Sequence, residues 1–170
     1  MTSEGPSVTF EPLFGDTRIP SRATLHAAGY DLYVYLKGRH VSVRGRDGTE
    51  SSYECGPGVD ARVRLRGGEM ALLPLGFKAA LPPGYEAQIR MRSSWAYRRG
   101  LLLPNAPGTI DADYPDEWMV MVLASREGET VIVHGDRVAQ VVLARFAALP
   151  WVAGSVATTT DRTGGLGSTG

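Results

Sequence analysis

The sequence predicts an all-β fold, a sandwich or barrel with one short helix, and three observations point there. Gly 21 and Pro 11 in 170 residues make roughly a fifth of the chain, against about 12% in ordinary proteins, so turns are frequent. The turns fall between short β-branched and aromatic runs rather than between helical stretches. Within those runs apolar and charged residues alternate. Val63 and Leu65 against Arg62, Arg64 and Arg66 give one strand an apolar side and a charged side.

Along the chain, Val8 to Phe10 opens the series. Tyr30 to Leu36, Ala61 to Leu65, Met70 to Leu75 and Tyr85 to Met91 follow, then Leu101 to Leu103, Trp118 to Leu123, Thr130 to Val133 and Val138 to Phe146. Each is of strand length and is bounded by turn-forming residues. Helical spacing is weak except at Ser93 to Arg99, where a Ser cap is expected to start about two turns and Gly100 to stop them. Residues 37–57, KGRHVSVRGRDGTESSYECGP, read as an exposed hairpin or flexible excursion, either a plain surface loop or a docking surface for a partner of unassigned chemistry. The run from Thr158 to Gly170 has almost nothing to bury and is expected to be disordered alone. The expected organisation is one β domain over 1–157 with an insert at 37–57, then a flexible tail over 158–170.

Composition excludes several function classes. Eighteen basic residues balance eighteen acidic ones, which removes the electrostatic reason to expect nucleic-acid or membrane-surface binding. No apolar run approaches the roughly 20 residues of a membrane span, and Thr2 to Pro6 resemble no secretory leader, so a cytoplasmic chain is expected. Cys55 is the sole cysteine, read as a passive thiol. His26, His40 and His134 are isolated, so a zinc cage is not expected. Neither a GxSxG elbow nor a GxxxxGK[ST] loop occurs.

Five polar, glycine-rich segments remain. Ala28-Gly29-Tyr30-Asp31-Leu32 places a carboxylate in an apolar strand start, and Arg92-Ser93-Ser94-Trp95-Ala96 puts an arginine and two hydroxyls at a helix start. Asn105 to Tyr114 is a turn leading to Asp111, Asp113 and a ring. Gly135 to Gln140 ends on an amide expected to be buried, and the tail supplies Arg162, Ser168 and Thr169. Singly, each has an ordinary explanation: turn caps for Asp31 and Asp136, a solubilised hairpin for Asp111 and Asp113, a plain helix start, a linker.

In this order the five segments resemble the sequence blocks of the trimeric dUTP pyrophosphatase family: AGYDL, RSSLA or RSGLA, NxxGxIDxDYRGE, GDRxAQ and RGxGGFGSTG. The resemblance implies a jelly-roll-like β-sandwich or distorted barrel. It also implies a homotrimer with shared active sites, Mg²⁺ dependence, and hydrolysis of dUTP to dUMP and pyrophosphate. That activity keeps uracil out of DNA and supplies dUMP for thymidylate synthesis. Carried over, Asp111 is the base that deprotonates the water attacking the α-phosphorus. Arg92, Ser93, Ser94 and Gln140 meet the phosphates, and Asp31 holds Mg²⁺ through water rather than directly. Asn105, Gly108, Thr109 and Ile110 read the uracil edge on the hairpin that runs to Met119, and Tyr114 lies under the sugar. Arg162, Leu166, Gly167, Ser168 and Thr169 belong to a lid closing over a neighbouring subunit's site.

Ser94 stands where many members have Gly, Leu166 where they have Phe, and Pro115-Asp116 where they have Arg-Gly. Arg162 lies one residue nearer its glycine pair than is usual, and the stretch from Asp31 to Arg92 is longer, the excess falling on 37–57. Two other readings stand beside this one. The related dCTP deaminases look like IDPGWxGxITLE, with a Glu base whose place falls near Met121 here. A non-catalytic nucleotide-binding protein has no use for Asp111.

Overall fold

A computed structural model describes residues 5–157, and the tail over 158–170, with Arg162, Leu166, Gly167, Ser168 and Thr169, lies outside the described residues. Fourteen strands are seen among the described residues. They are β1 Thr9–Pro12, β2 Ser21–Arg22, β3 Tyr30–Tyr33, β4 His40–Arg44, β5 Glu50–Glu54, β6 Arg62–Arg66, β7 Met70–Pro74, β8 Phe77–Ala80, β9 Tyr85–Met91, β10 Leu101–Leu102, β11 Gly108–Ile110, β12 Met119–Ala124, β13 Glu129–Val133 and β14 Arg137–Arg145. They form two five-stranded sheets, β10-β12-β7-β4-β5 and β11-β9-β14-β3-β2, and two ribbons, β1-β8 and β13-β6. None closes into a barrel. The layout is the jelly-roll-like sandwich the sequence implies.

Alternation explains the layering. Val41 and Val43 on β4, Ala71 and Leu73 on β7, and Val120 and Val122 on β12 point inward from one sheet. Leu32, Ala87, Ile89, Ala139, Val141 and Ile110 point inward from the other, and all belong to one core cluster. On β6, Val63 and Leu65 are fully buried while the intervening arginines face out, as their period of two requires. The 37–57 stretch is an ordered hairpin. Its strand β4 pairs with β7, so it widens the first sheet by two strands. Cys55 at its base is buried, and burial pushes the thiol up, in keeping with a passive role.

The helix departs from expectation. Instead of two α-turns there is one π-helical turn, Trp95–Arg99, and Ser94 caps it without a side-chain hydrogen bond. The following Gly100 takes a left-handed φ of 64° and returns its N–H to the carbonyls of Ala96 and Trp95, which stops the turn.

One junction between the sheets is sensitive to acid. His134 Nδ1 accepts the Leu36 N–H at 3.1 Å, and the ring meets Tyr35 edge-on at 4.8 Å. Burial, then the charge of Lys37, lowers the His134 pKa from 6.5. The unfolded chain therefore takes up this proton at higher pH than the folded one. Stability from this group is present above about pH 6.5 and falls as pH drops through that value. Thermal midpoints are expected to fall between about pH 7 and pH 5, and less in His134→Gln, which melting curves across that window would check. An equal slope in the variant would contradict the assignment.

Candidate active site

The polar segments converge in two groups, both on the second sheet. The first lies at its centre, where Gln140 on β14 stands opposite Asp31 on β3 and Arg90 on β9. Asp31 is 7% exposed and lies between two guanidiniums. Its Oδ1 is 3.3 Å from Arg92 Nε and its Oδ2 accepts from Arg137 Nη1 at 3.0 Å. Arg92 also donates to the Arg137 carbonyl at 3.2 Å. The pairing register shifts between Arg137 and Ala139, a bulge that re-aims the strand end. One carboxylate set against two arginines leaves a surplus positive charge. Its outward donors are suited to phosphate oxygens.

Gln140 is half-buried, not buried as the sequence suggests. With Ala139 and Val141 facing the core, alternation sends Gln140 to the opposite face. Gly29 makes room for it, since any Cβ at that position would overlap Gln140 Oε1. Ser93 and Ser94 follow Arg92 directly, exposed.

The second group is the hairpin from Asn105 to Met119. Among the described residues β11 is an edge strand paired with β9 alone, so one row of its backbone donors and acceptors faces away from the sheet. A Cβ at Gly108 would stand 3.2 Å from Asn105 Nδ2 and 3.4 Å from Ile89, so glycine lets the Asn105 amide lie against the strand. The Tyr114 N–H closes a turn on the Asp111 carbonyl at 3.2 Å, and the Tyr114 hydroxyl donates to the Glu117 carbonyl at 3.4 Å. Thr109, Ile110, Asp111, Tyr114 and Met119 line a cavity of about 190 Å³. Asp111 is exposed, a carboxylate free to hold a water. A larger cavity of about 330 Å³ beside Phe10, Phe77 and Trp118 has no carboxylate, cation or histidine among the described residues of its lining.

Gln140 pairs with Arg90 and Ile110 with Ala87. Three residues along β9 and two strand spacings across put the groups about 14 Å apart. Within one chain they therefore do not meet. Among the described residues no three His, Cys, Asp or Glu side chains gather as metal ligands. Sequence reasoning gives no role to Arg137, which shares Asp31 with Arg92, or to Glu117, which ends the hairpin loop, although both fall within the quoted blocks.

A family model described as dUTPase matches residues 59–170. A deoxyuridine 5'-triphosphate nucleotidohydrolase of Desulfotalea psychrophila is 38% identical over 143 residues, covering 81% of this chain and 95% of that protein. One from Caulobacter vibrioides is 35% identical over 156 residues, covering 91% and 87%. Among solved structures, the dUTPase of Streptococcus mutans superposes with a TM-score of 0.63 at 28% identity over 84% of this chain and 98% of that one. A point mutant of the dUTPase from phage phi11 of S. aureus, reported with a structural Mg(II) ion, gives 0.67 at 17% over 91% and 99%, a likeness of fold.

Proposed function

Because the chain belongs to the dUTPase family, we propose that it hydrolyses dUTP to dUMP and pyrophosphate at the cavity beside Asp111. Asp111 holds a water in line with the α-phosphorus and takes its proton as the oxygen bonds to phosphorus. The bond to the bridging oxygen breaks, and pyrophosphate leaves with the electron pair. The observation that carries this reading is the placement of an unencumbered carboxylate in a cavity walled by Thr109, Ile110, Tyr114 and Met119.

Uracil pairs with the free edge of β11 and the Asn105 amide. Cytosine would set donor against donor, at about 1–3 kcal/mol for each unpaired buried group. Tyr114 lies under the sugar, where a 2′-hydroxyl does not fit. Arg92, Ser93, Ser94 and Gln140 receive the phosphates, joined by Arg137. One Asp31 oxygen accepts from Arg137 and the other is ion-paired with Arg92, so direct ligation of Mg²⁺ fits poorly, while contact through a metal-bound water fits the remaining lone pairs. When bound, Mg²⁺ offsets the charge of the triphosphate.

A homotrimer with shared sites completes this arrangement. The cavity is smaller than the roughly 300–1,000 Å³ of ordinary ligand sites, and the phosphate group lies too far off to serve it within one chain. Membership of the family supports a lid role for the tail over 158–170, outside the described residues, with Arg162, Leu166, Gly167, Ser168 and Thr169 as its substrate-binding residues. The reaction belongs in the cytoplasm, where nucleotide pools are kept. A deaminase reading is not favoured. Met121, where its base would fall, sits opposite Leu72 on the outer side of β12, away from the cavity.

The test is incubation with Mg²⁺ and, separately, dUTP, dCTP, dTTP and UTP, measuring pyrophosphate and ammonia. Pyrophosphate from dUTP alone is expected. Ammonia from dCTP, or no turnover, overturns the reading.

A further inference from the structure

The loop from Asp111 to Trp118 is held from outside itself. Glu117, at its end, accepts from both terminal nitrogens of Arg39, Nη1 to Oε1 at 2.9 Å and Nη2 to Oε2 at 2.7 Å. The Gly76 N–H adds a third bond to Oε1 at 2.7 Å. The two side chains are only 21% and 16% exposed, which sets this forked pair apart from the open ion pairs of the surface. The guanidinium also lies 5.4 Å over the Phe14 ring, and Phe14 stacks on Tyr35 at 4.3 Å.

Arg39 itself is fixed at the neck of the 37–57 hairpin. Its N–H donates to the Leu36 carbonyl and its carbonyl accepts the Cys55 N–H, both at 3.0 Å, while Gly38 donates to Gly56 at 2.8 Å. At the other end of the pair, Glu117 lies in the chain between Tyr114 and Met119, two residues that line the nucleoside cavity. Its carbonyl takes the Tyr114 hydroxyl. Two residues on, Met119 lines the cavity, with Trp118 between them locked to Phe77 and Leu75 by backbone bonds of 3.0 and 3.1 Å. The fork on Glu117 therefore anchors the end of the loop that carries Tyr114, next to the segment that carries Met119.

We infer that Arg39 is a positioning residue for the nucleoside pocket, and that the 37–57 hairpin serves the reaction by delivering this guanidinium to Glu117. The inference rests on the dUTP reading above. The fork requires arginine, because an ammonium meets a carboxylate as a point charge and leaves its rotation free.

The experiment uses the full chain, with steady-state pyrophosphate release from dUTP and thermal melting for the wild type, Arg39→Met, Arg39→Lys and Glu117→Gln. The variant Asp47→Asn, exposed in the turn between β4 and β5, is the control. Arg39→Met removes both bonds of the fork and is expected to raise KM about tenfold with kcat within about threefold. Arg39→Lys falls between it and the wild type, Glu117→Gln raises KM in the same sense, and Asp47→Asn changes neither constant. Should Arg39→Met fail to fold, Glu117→Gln carries the test, because it keeps an acceptor for Gly76. A lowered melting point with unchanged KM in the soluble variants makes the pair merely structural and overturns the inference. No pyrophosphate from the wild type overturns the dUTP reading and the inference with it.

Discussion

Asp111→Asn is expected to reduce kcat for dUTP by about 10²- to 10⁴-fold, the usual contribution of a positioned general base, while KM stays within a few-fold. The amide keeps the shape of the carboxylate but has no lone pair basic enough to take the proton of water. Asp111 is exposed, and its side chain makes no hydrogen bond or ion pair among the described residues. The substitution therefore leaves the turn intact, since the Tyr114 N–H bonds to the backbone carbonyl of residue 111. Melting temperature is expected to match the wild type. Parallel kinetics and melting curves separate loss of chemistry from loss of fold, and a variant retaining more than a tenth of kcat would move the base elsewhere.

How far this site can be read in the sequence depends on whether a contact is local. Tyr85 to Met91 is delimited by its own residues and is β9, because a long alternating run names itself. β11 does not read as a strand. Gly108 follows Pro107 and looks like a turn, and only the pairing of Gly108 with Ile89 and Ile110 with Ala87 extends it. The short strands Ser21–Arg22 and Phe77–Ala80 escape notice for the same reason. Gln140 is legible as an oddity in an apolar strand, but its face is not. The bonds from Arg39 to Glu117 span 78 residues, and that from Arg137 to Asp31 spans 106. No periodicity reports such distances. Arg137 has one signal, its place beside Asp136 in a polar block that already contains Gln140. Arg39 has none, since its stretch reads as an ordinary exposed loop.

The largest expected loss of stability comes from a residue the reaction does not touch. Trp118 is 2% exposed. Its ring meets Phe77 at 5.4 Å, and Phe77 meets Phe10 at 5.1 Å, so the indole joins the β1-β8 ribbon to the first sheet. Trp118→Ala removes most of that contact and is expected to cost about 3–5 kcal/mol, a large share of the roughly 5–15 kcal/mol that folded proteins hold. At about 2–4 °C per kcal/mol for a chain of this size, the melting midpoint falls by roughly 6–20 °C. Trp118→Phe is the informative companion. The indole Nε1 is buried without a hydrogen-bond partner among the described residues. An unpaired buried donor costs about 1–3 kcal/mol, and phenylalanine removes it while keeping a ring against Phe77. The Phe variant is therefore expected to lose under about 1 kcal/mol, because relief of the stranded N–H offsets the smaller ring. Chemical denaturation of the three proteins measures both differences. If Phe costs as much as Ala, the N–H has a partner in the working protein that lies outside the described residues.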